Sequence, residues 1–340
     1  MRTRDFQRIV PMGVGCVLLV LMICLLIPDV QGQQKIYDDL FSASFPNERD
    51  GWASGRWGCI LHTADGGKTW IRQNTGTDLT LSSVFFVDPK NGWGVGEEGI
   101  IIHTGDGGKT WEKQKSPVPL FHMKTFFVSP LKGWIVSEQT HILYTEDGGK
   151  TWNIQFKDQD AILKSVSFCD ALNGWAVGEY GYIYHTRNGG KTWEKQAGSF
   201  GISEKTGDLE GENFLFDVMA TDPRTAWAVG VDGYVIKSID GGKTWKEIPT
   251  GAPKAQLFCV GYDPKTGIIV IGGNGVLLVS LDKGKTWKMP EADPPITYDW
   301  IYEVARRGDA GFLLVGDAGM IYMNEGKSSN PVISWKRVKY

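Results

Sequence analysis

A chain of 340 residues with a formal net charge of −3 lacks the basic field that nucleic-acid binding needs. Its 44 glycines and 14 tryptophans lie far from average usage and point to a repetitive, turn-rich protein. After residue 32 there are three cysteines, Cys59, Cys169 and Cys259; an odd number in distant segments argues for free thiols over a disulfide framework.

The chain opens on Arg2, Arg4 and Arg8, followed by an apolar run of 19 residues, Ile9–Ile27. Pro28 breaks the run, and Val30-Gln31-Gly32 offers small residues for cleavage. Residues 1–32 read as a signal peptide or, since the run is long enough to cross a bilayer, a retained N-terminal membrane anchor. Either way the rest is expected to be exported, to a periplasm or another extracytoplasmic compartment. Cys16 has too little apolar sequence before it for a lipoprotein site.

From there one hexamer organises the sequence. DGGKTW stands at Asp65–Trp70, Asp106–Trp111, Asp147–Trp152 and Asp240–Trp245, with variants at Asn188–Trp193 and Asp282–Trp287. A seventh copy has decayed to Asn324-Glu325-Gly326 and, after an insertion, Trp335. Asp or Asn followed by glycines between apolar runs is a tight-turn signal, since the carboxyl oxygen accepts backbone N–H bonds and glycine tolerates positive φ. In the second repeat Ser82–Asp88, Trp93–Gly96, Ile100–Thr104 and Thr110–Gln114 read as four short strands separated by turn clusters. The hexamer tryptophans follow one another at 41, 41, 41, 52, 42 and 48 residues. Four strands repeated about every 40 residues are propeller blades. The expected fold is all-β: a seven-bladed β-propeller over residues 33–340, four antiparallel strands per blade, with the hexamer between strands three and four. The repeats run approximately 40–78, 79–118, 119–158, 159–213, 214–253, 254–295 and 296–340, with an insertion at Gly198–Asn213.

The hexamer with its preceding Ser or Thr resembles the Asp-box, or BNR, signature of sialidases and related propellers. The fuller repeat NGWGVGEEGIIIHTGDGGKTWEKQ, Asn91–Gln114, is most similar to the photosystem II stability/assembly factor family. The resemblance covers about Leu40 to Tyr340. It implies a seven-bladed propeller of the thylakoid lumen or bacterial periplasm that binds a protein partner and assists assembly or stability of a membrane complex. It implies no catalytic residue and no cofactor. Asp65, Trp70, Asp106, Trp111, Asp147, Trp152, Asn188, Trp193, Asp240, Trp245, Asp282, Trp287 and Trp335 are then structural.

With the first strand innermost, the Asp boxes share one face with the turns between strands one and two. The turns between strands two and three share the other. The variable pairs in those turns are Arg56-Trp57, Glu97-Glu98, Glu138-Gln139, Glu179-Tyr180, Val231-Asp232, Gly273-Asn274 and Asp317-Ala318. Trp57 and Trp300 are the tryptophans that the repeat does not require, and Trp300 lies beside Tyr298. Arginine and aromatic residues without a packing role are what binding surfaces favour. Arg56, Trp57, Glu97, Glu98, Glu138, Glu179, Tyr180, Asp232, Tyr298, Trp300 and Asp317 are the expected partner-binding set, centred on the junction of blades seven and one. The acidic turns are read as free of structural duty. The alternative is a glycan-binding protein or a sialidase-like glycosidase. A sialidase needs three converging arginines, and only Arg56 is well placed on this face. His62, His103 and His185 occupy equivalent positions in three blades, where a ring would hold them too far apart to share a metal.

Overall fold

The computed structural model describes residues 37–202, 209–325 and 334–338, so the signal peptide or anchor expected at 1–32, residues 203–208 and the insertion of the seventh Asp box, 326–333, lie outside it. The described part falls in one compact unit, Ile36–Tyr340. Seven innermost strands, Leu40–Ser44, Leu81–Phe86, His122–Phe127, Leu163–Phe168, Leu215–Asp222, Leu257–Tyr262 and Ile301–Arg306, surround a central channel. Each begins an antiparallel meander that runs outward, as in blade one through Gly51–Gly55, Ile60–Thr63 and Ile71–Gln73. Blade six departs from four strands. Pro290 cannot donate to a ladder, so the fourth strand shrinks to one bridge between Val279 and Lys288. The chain then lays Glu291–Asp293 parallel to Ser334–Arg337, giving blade seven a fifth, outer strand.

Aromatic stacking joins the blades. Trp52 of blade one lies flat on Phe86 of blade two at 3.6 Å, and Trp111 of blade two meets the same ring edge-on at 5.9 Å. Trp93, Phe127 and Trp152 repeat the arrangement, as do Trp134, Phe168 and Trp193. The Gly-Trp pair of strand two follows from this packing: a Cβ on Gly92 would come within 2.4 Å of the Phe86 ring.

The Asp box is a small hydrogen-bonded cage. In blade two Asp106 accepts the Thr110 N–H at 2.9 Å, the Thr110 hydroxyl at 2.7 Å and the Thr104 hydroxyl at 2.8 Å. The backbone N–H and hydroxyl of Thr110 pull the Asp106 carboxyl down to about 2. The Gly107 N–H donates to Lys90 O at 3.0 Å, docking the box on the turn between strands one and two. At three junctions a strand-four glutamine then latches the box to the preceding blade. Gln114 donates to Gly148 O at 2.9 Å and accepts the Trp152 indole N–H at 3.0 Å. Gln73 and Gln155 do the same for Gly107 with Trp111 and for Gly189 with Trp193. Gln196 of blade four donates to Gly241 O at 2.8 Å but accepts the Trp175 indole N–H of its own blade at 3.2 Å. Blades five, six and seven carry Ile248, Pro290 and Val338 at this place, and among the described residues the Trp245 and Trp287 indole nitrogens have no partner.

The ring closes without a strand from another repeat entering blade one. Arg307 of blade seven donates to Gly66 O in the first Asp box at 2.9 Å, and Glu48 accepts the Asp309 N–H at 3.0 Å. Beneath them Leu40, Leu61 and Trp70 pack with Leu313, Val315 and Ile321.

One ion cluster crosses the channel. Lys124 of blade three reaches Asp217 of blade five at 3.0 Å and Glu303 of blade seven at 3.1 Å. Asp217 also accepts the Ser165 hydroxyl at 2.6 Å and the Val260 N–H at 3.0 Å. Burial opposes the Lys124 ammonium, but the two carboxylates outweigh it and raise its pKa above the ordinary lysine value. Burial pushes the Glu303 carboxyl up to about 7, opposed by Lys124 and assisted by Asp217.

Two predictions follow from this packing. Trp152→Ala removes a buried ring and its latch and is expected to cost about 3–5 kcal/mol. Trp287→Ala removes a half-buried ring without a latch and is expected to cost about 2 kcal/mol; urea midpoints compare the two. Glu303 is expected to be protonated in the folded state well above its unfolded pKa, so its contribution to stability is full below pH 4.5 and lost as pH rises toward 7. The loss is at most about 3 kcal/mol, and Glu303→Gln should flatten this part of the stability profile between pH 5 and 8.

Candidate functional site

The turns between strands two and three share one conformation. In six blades the second turn residue is left-handed: Trp57, Glu98, Gln139, Tyr180, Asp232 and Ala318 have φ between 47° and 56°. Blade six is one residue shorter. Asn274 takes the first turn position, as its N–H bond to Gln256 O shows, so the pairing Gly273-Asn274 expected from sequence is out of register.

The carboxylates at the first turn position are not free of structural duty, and that reading is corrected. Glu97 accepts the Thr80 N–H at 2.8 Å, Glu138 that of Phe121 at 3.1 Å, Glu179 that of Ile162 at 3.0 Å and Asp317 that of Trp300 at 2.9 Å. Each braces the residue just before its own innermost strand. In blade one the pattern inverts: Arg56 donates to Asp39 Oδ2 at 2.8 Å, and Asp39 Oδ1 accepts the Ala318 N–H of blade seven at 3.1 Å. Glu98 and Asp232, at the second position, are exposed and have no such bond among the described residues.

The sequence reading missed the feature at the centre of this face. In every blade a register shift falls at the second residue of the innermost strand. Such bulges re-aim side chains at the rims of closed sheets. The residues concerned are Phe41, Ser82, Met123, Lys164, Phe216, Phe258 and Tyr302, all half-buried. Four aromatic ones are consecutive around the ring, from blade five through blade seven to blade one. Phe216 and Phe258 lie 5.2 Å apart, Phe258 and Tyr302 5.6 Å, and Tyr302 and Phe41 5.2 Å. Trp300, 40% exposed, stacks on Phe258 at 5.4 Å and meets Tyr302 at 6.0 Å. The Arg56 guanidinium sits 5.4 Å over Phe41. Burial pushes the Tyr302 phenol up to about 12, with the charges of Asp39 and Asp317 adding and Arg56 opposing.

The structure thus joins Arg56, Trp300 and Asp317 around an aromatic crescent. Tyr298 stands beside it, 86% exposed. Trp57, next to Arg56 in the blade-one turn, is 64% exposed and makes no ring contact among the described residues. Tyr180 belongs to a second aromatic group: the insertion places Phe200 4.3 Å from it, and Phe214 lies 4.9 Å away.

The equivalent histidines are packing residues. His62, His103 and His185 lie against Trp52, Trp93 and Trp175 at 4.6, 4.8 and 4.0 Å. Burial lowers all three, His185 to about 4 with Arg187 adding. Tyr144 and Lys237 fill the same place against Trp134 and Trp227.

Among solved structures, a YCF48 bound to D1 peptide is 20% identical, with a TM-score of 0.68 over 85% of this chain and 92% of that one. YCF48 from Cyanidioschyzon merolae is 19% identical, with a TM-score of 0.67 over 85% of this chain and 96% of that one. A GH74 xyloglucanase from Xanthomonas campestris reaches a TM-score of 0.70 at 12% identity, over 90% of this chain and 55% of that one. These likenesses establish a shared fold. No curated protein matches the chain. The family profile described as photosynthesis system II assembly factor YCF48 matches residues 29–118 and 117–205. That is more than half of the sequence, and the chain belongs to this family.

Proposed function

We propose that this protein is an exported, non-enzymatic propeller that binds a polypeptide segment of a membrane-complex subunit and assists that complex's assembly or stability. The observation that carries the reading is the crescent at the channel mouth, where Phe216, Phe258, Trp300, Tyr302 and Phe41 gather half-exposed on one face. Core packing does not need Trp300 or Tyr298 at the surface, whereas interface centres are enriched in such residues. Family membership supports a partner-binding role, and a relative whose structure is a YCF48 bound to D1 peptide supports a peptide as the ligand. The basic-then-apolar leader supports export, with attachment to the membrane through residues 1–32 if the leader is retained.

Carboxylate chemistry is disfavoured. Glu97, Glu138, Glu179 and Asp317 are occupied with main-chain N–H groups, and Asp217 and Glu303 are tied to Lys124. The purified propeller is expected to show no turnover of a fluorogenic sialoside, an aryl glycoside or xyloglucan; hydrolysis above background, abolished by Glu97→Gln or Glu179→Gln, would replace this reading with a glycosidase.

Docking is tested by photo-crosslinking of the full chain in its native membranes. A benzophenone side chain in place of Tyr298 or Trp57 is expected to capture a subunit of a membrane complex. The same group in place of Lys109 or Lys150, in the Asp boxes, is expected to capture none. Capture from the Asp-box positions alone moves the interface to the other face and overturns the assignment.

A further inference from the structure

Resting on that reading, we propose that the channel mouth recognises a cationic side chain of the partner: an arginine presented on an extended segment, its guanidinium lying on the aromatic crescent. The chain itself shows the interaction once. Arg56 holds its guanidinium 5.4 Å over Phe41, oriented by Asp39 at 2.8 Å. Among the described residues no lysine or arginine lies over Phe216, Phe258, Tyr302 or Trp300, so four similar ring faces have no cation on them. A planar guanidinium stacks on such faces better than an ammonium does.

The charges around the crescent point the same way. Asp317 lies near the Tyr302 ring, and Asp299 is the neighbour of Trp300 in sequence. Neither takes part in an ion pair among the described residues, and the same holds for Glu98 and Asp232 elsewhere on this face. Arg56 is already neutralised by Asp39, and Lys164, the one cation among the seven bulge residues, lies 3.7 Å from Glu179. The opposite face differs, because there five of the six hexamers balance an exposed lysine with their own aspartate. A cation is therefore steered to the crescent, whereas an acidic segment is repelled from it. A neutral sugar could stack on flat rings, but it would leave the acidic surround unused.

The probe is a set of acetylated, amidated peptides of sequence Gly-Ser-X-Leu-X-Ser-Gly, with X as arginine, citrulline, lysine or glutamate, titrated into the propeller. Citrulline keeps the planar shape of arginine while it removes the charge and exchanges one terminal NH2 for an acceptor oxygen. The arginine peptide is expected to bind at least tenfold more tightly than the citrulline peptide, with the lysine peptide between them and the glutamate peptide weakest. Raising the salt concentration should weaken the arginine peptide. Trp300→Leu and Tyr302→Leu, each with an unchanged melting temperature, should weaken it at least tenfold, and Lys109→Ala with Lys150→Ala should not. Should either leucine variant lose melting temperature, Asp317→Asn with Asp299→Asn serves in its place, again with at least a tenfold loss expected. Equal binding of arginine and citrulline peptides, or tighter binding of the glutamate peptide, overturns the inference. So does a crosslinked partner segment at Tyr298 that lacks arginine and lysine; that result would leave the partner-binding reading standing. Arginine-selective binding without any crosslinked subunit would uphold the cation site and remove the membrane-complex partner.

Discussion

From blade one to blade four this ring depends on one aromatic contact made between neighbours. A phenylalanine at the end of an innermost strand receives the strand-two tryptophan of the preceding blade on its face and its own Asp-box tryptophan on its edge. Neither blade can bury its indole alone, so a single repeat has no reason to be folded by itself. The glycine before the strand-two tryptophan, the cage around the box aspartate and the glutamine latch all serve to bring those rings into register. Polar groups here do not compete with the apolar core. They set its spacing, because the indole N–H and the turn carbonyls must find partners once they are buried.

Much of the fold was legible because it is written several times. A hexamer returning at near-constant intervals specifies turn, strand count and blade number together, and small errors in any one copy are corrected by the others. The glutamine latch was legible in principle: Gln73, Gln114, Gln155 and Gln196 each stand three residues after the box tryptophan. It was passed over because a glutamine on an outer strand carries no local signal, and its partner is 34 residues away in the next repeat for the first three. The braces from Glu97, Glu138, Glu179 and Asp317 were hidden in the same way, each reaching back 17 residues. A carboxylate in a turn looks like solvent-facing charge until its backbone partner is seen.

The crescent was illegible for a different reason. Phe41, Phe216, Phe258 and Tyr302 sit in runs that alternate like ordinary strand interiors, and alternation assigns a residue to one face or the other. The register shift at this place gives the chain a third direction, toward the mouth of the channel. A period of two cannot express that. Trp300 and Arg56 were noticed because they stand outside the repeat, and they proved to be neighbours of residues that had been hidden within it. Trp57 stands outside the repeat too, exposed and without a ring contact among the described residues.

The unequal distribution of the glutamine latch divides the ring into two halves of different character. Blades one to three are fastened by a side chain that grips both the backbone and the indole of the next box, and blade four by one that grips the backbone alone. Beyond them the Trp245 and Trp287 indoles have no N–H partner among the described residues, Arg306 pairs with Asp263 at 3.0 Å between blades seven and six, and closure rests on Arg307 and an apolar patch. The fastening therefore changes in kind in the sector from blade five round to blade one, from glutamine and indole to charge and aliphatic packing. That is the sector over which the crescent runs. A chain segment seated there would touch four blades at once, and a ligand that binds only the folded ring stabilises it for as long as it stays bound.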